Sequence, residues 1–184
     1  MGSIDEAPMS PDTLPIIWRA SASTKDFERA CFGRVFNQRR PDRYPRAVVH
    51  ATCEQHIVDA VKLANSLDTR VSVRSGGHSW AAWSVRDDAV LVDLGSYHHL
   101  ELREDDGIVE VSPSTTGHVL NEMLNARGYM FAGGHCPDVG LGGFLLQGGM
   151  GWNCKVSRIV KDRSCNLLTL ASRTGAGRAK RYVQ

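Results

Sequence analysis

The sequence shows no strong excess of either charge and no long hydrophobic run. It has 184 residues with 22 Lys and Arg against 20 Asp and Glu, a formal net charge of +2. Such a balance excludes a general electrostatic attraction to nucleic acid or to anionic membranes. No window approaches the roughly 18 uninterrupted apolar residues of a membrane helix. Residues 1–15 lack the apolar stretch of a secretory signal, so we expect a cytoplasmic protein.

The cysteines do not form a pattern typical of disulfides or of zinc sites. There are five of them, an odd number, with no C-x-x-C pair. In a chain without an export signal this favours reduced thiols over a disulfide framework, and it argues against a zinc ribbon. The five are Cys31, Cys53, Cys136, Cys154 and Cys165.

The first 43 residues are predicted to be a leader, a helix and a linker. Residues 1–15 are expected to be flexible, and residues 21–37 place Phe27, Ala30, Cys31 and Val35 on one helical face. The segment 39–45 then contains two prolines, which resist helix formation. Its three arginines are better explained as a solvated linker than as a phosphate-binding patch, because no basic face follows.

The next segment predicts a β-α-β arrangement followed by a third strand. Residues 47–50 and 71–73 are apolar enough for two strands, and residues 89–94 are continuously apolar, as in a strand covered on both faces. Residues 52–55 match a capping box that would start the intervening helix. The face of this helix expected to be buried consists of Ile57, Ala60, Val61, Ala64 and Leu67.

A hairpin and a second helix are predicted further along the chain. Residues 100–102 and 108–111 form two short apolar runs on either side of an acidic turn. A helix beginning near Thr116 would bury Leu120 and Leu124, and Gly128 would end it. The fold class is therefore mixed α/β or α+β, arranged as two small lobes.

Two glycine-rich clusters are the most informative part of the sequence. Eight of the 18 glycines lie in residues 133–151, and residues 74–79 read R-S-G-G-H-S directly after a predicted strand. Successive backbone N–H groups in such a turn can bind a pyrophosphate. The sequence nevertheless lacks G-x-G-x-x-G, G-x-x-x-x-G-K, H-E-x-x-H and G-x-S-x-G motifs. On the glycines alone, the clusters either bind a phosphate-bearing ligand in a different way or are structural turns.

The order of these clusters resembles a known family. Residues 73–79, 92–94, 136–143 and 148–151 together resemble the FAD-linked oxidases of the vanillyl-alcohol oxidase and p-cresol methylhydroxylase superfamily, berberine bridge enzyme-like branch. The resemblance runs from about residue 44 to residue 166. It implies an α+β, two-lobed FAD-binding domain of the p-cresol methylhydroxylase type, incomplete at its C-terminus, with boundaries that we place at 44–172.

The resemblance also implies roles for individual residues. The loop 74–79 would wrap the pyrophosphate, His78 would bond to the flavin 8α-methyl group, and Cys136 would add a second bond at flavin C6. Val139 would face the flavin, at a position where valine accompanies oxygen reactivity. The complete set of expected cofactor-binding residues is Arg74, Ser75, Gly76, Gly77, His78, Ser79, Cys136, Val139, Gly140, Gly142, Gly143, Gly148, Gly149 and Gly151.

The residue chemistry is compatible with these roles. A neutral imidazole is nucleophilic, and its ordinary pKa near 6.5 leaves it largely neutral at cellular pH. A thiolate is the reactive form of cysteine. Considered one at a time, His78 would be a turn residue, Cys136 an inert thiol, and Trp80, Trp83 and Trp152 core residues rather than a cavity lining.

The resemblance implies an FAD-dependent oxidoreductase with a small organic substrate from specialised metabolism and with O₂ as the electron acceptor. The alternative is a flavin-binding remnant without turnover, or a subunit that needs a partner chain to complete its site. A metal-dependent hydrolase is disfavoured because no suitable histidine and carboxylate spacing occurs. Residues 167–170 resemble a strand, and residues 173–184 are expected to be a frayed basic tail.

Overall fold

The computed structural model describes residues 14–105 and 108–151, together with the backbone of two short strands at 167–170 and 180–183. These residues form a four-stranded sheet, a two-stranded hairpin and four helices, and the two later strands pair with each other. Trp152, Cys154 and Cys165 lie outside the described residues. Among the described residues, no helix combines the length and the apolar character that crossing a membrane requires.

The first lobe is built on the four-stranded sheet, whose order is β1-β2-β4-β3. Its strands are β1 (Ile16–Trp18), β2 (Ala47–His50), β3 (Val71–Arg74) and β4 (Val90–Asp93). Strand β1 runs antiparallel to β2, whereas β2, β4 and β3 are mutually parallel. Every residue of β4 is buried, which confirms the predicted strand covered on both faces. Strand β1 was not predicted.

Helix α1 (Thr24–Phe32) covers one face of the sheet and is shorter than predicted. Ser23 caps its first turn by accepting a hydrogen bond from the backbone of Asp26. The buried residues Phe27, Ala30 and Cys31 confirm the predicted face. The helix ends at Gly33 rather than at residue 37, so Val35 is buried from the following turn and not from the helix.

Helix α2 (Glu54–Ser66) covers the opposite face, and two details of its prediction are wrong. The capping box does not form, because the backbone N–H and hydroxyl of Thr52 both contact Nδ1 of His56. The buried face consists of His56, Ala60 and Ala64, whereas Val61 is exposed. Ile57 and Leu67 pack against the same core as predicted, whereas Val61 lies outside it.

The linker preceding β2 is held by side-chain contacts. Arg43 donates from Nε to the carbonyl of Val85 at 2.9 Å and from Nη2 to the carbonyl of Ala81 at 2.7 Å. Arg40 pairs with Glu28 of α1 at 2.9 Å. The expectation of a solvated linker is therefore wrong for Arg43, which fixes the segment 81–85 against the sheet.

The second lobe contains the predicted hairpin, β5 (Leu100–Arg103) and β6 (Ile108–Val111), and helices α3 (Gly117–Asn125) and α4 (Leu141–Leu146). Thr116 caps α3 by accepting from the backbone of Val119. Gly128 has φ +77°, as expected of a glycine that ends a helix. The core of this lobe consists of Leu120, Leu124, Phe131 and Leu141.

The last described strands, β7 (Leu167–Leu170) and β8 (Lys180–Val183), pair antiparallel. The predicted strand at 167–170 is confirmed. The expected frayed tail is wrong for residues 180–183, which form a strand, and its remaining residues lie outside the described part of the chain.

Candidate functional site

Three parallel strands end at the same level, and a buried ion-pair network stands at that edge. The registers align His50 of β2 with Asp93 of β4, and Asp93 with Arg74 of β3. Asp93 is 1% exposed and accepts hydrogen bonds from Arg74 at 2.7 Å, from Arg34, and from the backbone of Gly95 at 2.9 Å. Ligand sites of open α/β sheets lie outside such carboxyl ends.

Burial and neighbouring charges together shift the pKa values of the titratable groups in and near this network. Burial by itself would raise the pKa of Asp93, but the charge and hydrogen bond of Arg74 and the charge of Arg34 outweigh burial and lower it. Burial lowers the pKa of His50 despite the nearby Asp93 carboxylate. Burial also raises the pKa of the Cys31 thiol to about 11. At the carboxyl end of the sheet, the ionised Asp93 carboxylate therefore lies between the guanidinium groups of Arg74 and Arg34.

Arg74 is predicted to bind the cofactor, and its side chain is occupied within the protein. Its guanidinium donates to the carbonyls of Ala30, at 2.6 Å, and Cys31 at the end of α1, and to Asp93. It is 2% exposed. These bonds satisfy helix carbonyls that have no partner within α1. The backbone carbonyl of Arg74 is also paired, since it accepts a hydrogen bond from the backbone of Leu94 at 2.9 Å.

The first glycine loop, residues 75–79, follows β3 directly. Gly77 has φ +75°, and a Cβ at this position would collide with the carbonyl of Arg34, so only glycine fits. Within the described part of the chain, none of the backbone N–H groups of residues 75–79 donates a hydrogen bond. The His78 imidazole stacks on the Phe36 ring, with centroids 3.9 Å apart and planes 9° from parallel.

The second glycine segment, residues 133–151, meets the first loop backbone against backbone. A Cβ on Gly140 would lie 2.6 Å from the Gly76 nitrogen, and one on Gly76 would lie 2.5 Å from the Gly140 nitrogen. Gly142 packs against Pro113, where a Cβ would lie 2.7 Å from the proline Cβ and 3.2 Å from its backbone. Glycine is thus required here because two stretches of main chain are in contact.

A cleft of about 780 Å³ opens between the two glycine regions. Eleven of the fourteen predicted cofactor-binding residues line it: Arg74, Ser75, Gly76, Gly77, His78, Ser79, Val139, Gly140, Gly143, Gly148 and Gly149. Gly142 and Gly151 do not line it and instead pack against Pro113 and Gly133. A volume of this size is typical of small-molecule and cofactor sites.

Cys136 is not part of this lining. It is exposed, in a turn where the carbonyl of Pro137 accepts a hydrogen bond from the backbone of His118 at 2.9 Å. Val139, three residues later, does line the cleft. The structure therefore brings His78 to the cleft and leaves the Cys136 thiol in solvent.

Several residues of the site were missed or misjudged from sequence. Trp83 lines the cleft and is 57% exposed, and Trp80 is also exposed, so the core-packing expectation is wrong for both. Arg34 and Phe36 contact the first glycine loop from a segment that was predicted as helix. Their contacts join residues about 40 positions apart, which no local pattern indicates.

One exposed cluster outside the cleft has metal-binding residue types. The ligand atoms of His99, Glu101 and Glu110 lie within 4.8 Å of one another on the hairpin. All three side chains are exposed, and Glu110 pairs with Arg103 at 2.9 Å. The cluster is accounted for as a solvated face of the hairpin.

The fold, the glycine contact and the cleft together define a two-lobed domain with a ligand-sized cleft, and comparison with known proteins identifies its family. Residues 45–175 match the FAD binding domain family, and the chain belongs to it.

Similar proteins include FAD-linked oxidoreductases and carbohydrate oxidases. The chain is 48% identical over 147 residues to the FAD-linked oxidoreductase nodO of Hypoxylon pulicicidum, covering 79% of this chain and 32% of that protein. It superimposes on a chitooligosaccharide oxidase with a TM-score of 0.68 and 28% identity, covering 81% of this chain and 31% of the other.

A bacterial flavoprotein shares the fold alone. The 6-hydroxy-D-nicotine oxidase of Arthrobacter nicotinovorans gives a TM-score of 0.76 at 20% identity, covering 97% of this chain and 37% of the other. The chain thus spans about a third of the length of the relatives it matches. The fold is that of p-cresol methylhydroxylase-type FAD-binding domains, as the resemblance implied.

Proposed function

We propose that the chain forms the FAD-binding part of an oxidoreductase that oxidises a small organic substrate. The observation that carries this proposal is the contact of Gly76 with Gly140 beside a cleft of about 780 Å³. A side chain at either glycine would occupy the space in which the two regions meet. Family membership supports FAD as the ligand of the cleft.

The first glycine loop fits the pyrophosphate of FAD. Its backbone N–H groups have no acceptor among the described residues, and they follow the carboxyl end of a parallel strand. Unpaired donors of this kind bind phosphate oxygens through hydrogen bonds without a cationic side chain. Because the loop can bind phosphate through its backbone, the Arg74 guanidinium is not needed for the ligand and can form the buried ion pair with Asp93.

His78 is the residue we propose to bond covalently to the flavin. It lines the cleft at the end of the glycine loop, and its imidazole plane is fixed by the stacked Phe36 ring. In our proposal the bound FAD would supply a hydride acceptor for the substrate, with O₂ as the final acceptor of the two electrons and H₂O₂ as the product. Val139 lines the same cleft and would face the cofactor.

We propose Cys136 as a second covalent link. The support is its position three residues before Val139 and its exposed thiol, which is accessible to reaction. The relatives named xylooligosaccharide oxidase and carbohydrate oxidase support a hydroxyl-bearing substrate.

A second candidate function is flavin binding without independent turnover, or turnover only with a partner chain. The exposed apolar rim of the cleft supports it, since Trp83 is 57% and Met150 66% exposed. Oriented hydride transfer requires that water be excluded from the reacting atoms. An open rim of this kind needs a further protein surface over it.

The test begins with the purified 184-residue chain. We expect flavin absorbance that stays with the pellet after acid precipitation, and a flavin-bearing peptide that contains His78. His78→Ala should abolish that peptide, and Cys136→Ala should remove a second one. His98→Ala and Cys53→Ala are matched controls, because His98 is an exposed histidine and Cys53 a free thiol, neither of which lines the cleft, and both variants should retain the links.

The outcomes separate the two candidates. Bleaching of the bound flavin by a sugar or another alcohol under anaerobic conditions supports the oxidoreductase. A yellow protein that no substrate bleaches supports flavin binding without turnover. A colourless protein, or flavin attached to another residue, contradicts the proposed site.

A further inference from the structure

The segment of residues 34–37, which follows α1, holds the first glycine loop in place. The Arg34 guanidinium donates to the carbonyl of Ser75 at 2.8 Å and pairs with the buried Asp93. It also packs on Gly95, where a side chain would overlap the guanidinium. Arg34 therefore links the loop to the ion-pair network at the sheet edge.

The next residues of the segment continue this contact along the loop. The backbone N–H of Phe36 donates to the carbonyl of Gly77 at 3.2 Å, and its ring stacks on His78. Asn37 donates from Nδ2 to the carbonyl of Trp80 at 3.0 Å, and the Trp80 ring meets Phe36 edge to face. Three residues of the segment thus contact four of the six positions from 75 to 80, namely Ser75, Gly77, His78 and Trp80.

The segment is itself firmly anchored. Arg74 joins the carbonyls of Ala30 and Cys31 to Asp93, so the end of α1 is bonded to the same sheet edge from which the loop emerges. All of residues 34–37 precede residue 45, where the family match begins. The family region alone therefore lacks the groups that fix its own loop in this chain.

We propose that Phe36 is a positioning residue, which orients the His78 imidazole for bond formation with the flavin, and that the segment 34–37 is an integral part of the cofactor site. This inference rests on the proposed function. A parallel ring stack leaves the imidazole free to slide in its plane but prevents it from tilting, and it leaves the edge that bears the nitrogens accessible.

Orientation matters because the bond forms between two fixed groups. An imidazole nitrogen of His78 loses its proton and joins the methyl carbon of the flavin, which loses one hydrogen. The step is a two-electron oxidation, and O₂ takes up the two hydrogens as H₂O₂. A displacement of about 1 Å between reacting atoms can slow such a step by roughly 100-fold.

The first test uses the flavin-free chain and the variants Phe36→Leu and Phe36→Tyr. In the wild-type chain, the ring current of Phe36 should move the His78 ring protons upfield in the NMR spectrum. Phe36→Leu should lose this shift, and Phe36→Tyr should keep it. Phe32→Leu is the matched control, because Phe32 lies four residues earlier and packs edge to face on Tyr44 rather than on His78.

The second test adds FAD and follows covalent attachment at His78 by mass spectrometry. Phe36→Leu should bind FAD yet attach it at least tenfold more slowly, whereas Phe36→Tyr should restore the rate. Phe32→Leu should lower thermal stability without slowing attachment in the fraction that remains folded.

Three results would overturn the proposal. Unchanged His78 signals in Phe36→Leu would show that the stack is absent. If Phe36→Leu loses the NMR shift of His78 but attaches FAD at the wild-type rate, the stack does not position His78, and the proposed function still stands. Absence of any bond at His78 in the wild-type chain would refute the covalent link and this inference with it.

Discussion

The two glycine regions that form the cleft are held by different means. The first loop is fixed by side chains from elsewhere in the first lobe, namely Arg34, Phe36 and the Asp93 network. The second segment is held mainly by its main chain, as in the hydrogen bonds from Leu141 and Gly142 to the carbonyls of Thr115 and Pro113.

This difference has a consequence for the two side chains that the regions carry. The loop anchored by side chains presents His78 at the cleft with a defined ring orientation. The segment anchored by backbone leaves Cys136 in an exposed turn. A nucleophile that must reach one atom of a cofactor needs a fixed orientation, which the side-chain contacts of the first loop provide. We therefore infer that His78, rather than Cys136, forms the primary covalent link to the flavin.

The largest expected effect comes from removing the anchor of the first loop. Asp93→Ala would leave two guanidinium groups at the sheet edge without their carboxylate, and Arg74 is almost completely buried. Losing one partner of a buried ion pair costs about 3–5 kcal/mol. Urea denaturation should show a decrease of this size in the free energy of unfolding, whereas Asp59→Ala, in an exposed pair with Lys62, should change it by less than about 1 kcal/mol.

The loss of folding stability at acid pH provides a second measure of the Asp93 ion pairs. The pKa of Asp93 lies below its ordinary value of 3.8, so its contribution is complete above that pH and is lost as the pH falls through the lowered pKa. Wild-type protein should therefore lose more stability at acid pH than Asp93→Ala does. Two results would mean that the network does not hold the loop. One is that wild type and Asp93→Ala lose the same stability at acid pH. The other is that Asp93→Ala lowers the free energy of unfolding no more than Asp59→Ala does.

Much of this architecture can be predicted from sequence, and the exceptions have physical causes. The apolar run of β4 predicts a doubly covered strand, and the glycine density predicts ligand-binding loops or turns at regions that the structure also shows in contact with each other. Strand β1 has only three residues, too few for a periodic pattern, and it is stabilised by pairing with β2 some 30 positions later. Its existence depends on a contact that the local sequence does not encode.

Side-chain competition explains the remaining errors. The capping box at residues 52–55 has the right residue types, but His56 engages Thr52 instead. Phe36 was placed in a helix because its neighbours continue an apolar periodicity, although Gly33 ends that helix. In both cases a tertiary or short-range contact prevailed over a local preference.

The two lobes also differ in the reactivity of their thiols, since Cys31 of the first lobe is buried and Cys136 of the second is exposed. Burial raises the pKa of Cys31 from 9.0 to about 11, which lowers its thiolate fraction near neutral pH about 100-fold relative to an ordinary thiol. In flavin-free protein, iodoacetamide should therefore alkylate exposed Cys136 at least 100-fold faster than Cys31, as followed by peptide mass spectrometry. Labelling of Cys31 should accelerate as the pH approaches 11, and both thiols should react alike in urea. Equal rates in the folded chain would refute the assigned burial.

The smallest expected effect concerns the backbone contact that joins the two regions. Gly140→Ala would place a Cβ 2.6 Å from the Gly76 nitrogen, in a buried position where the neighbour is main chain and cannot rotate away. Overpacking of this kind costs about 1–3 kcal/mol. The matched control is Gly117→Ala, whose Cβ would meet nothing nearer than the Pro137 carbonyl at 3.8 Å. Calorimetry should show a lower unfolding temperature for Gly140→Ala alone, together with weaker retention of FAD. Because the contact is symmetric, Gly76→Ala should reproduce both effects, and if it left FAD retention unchanged, the cleft would not depend on this contact between the lobes.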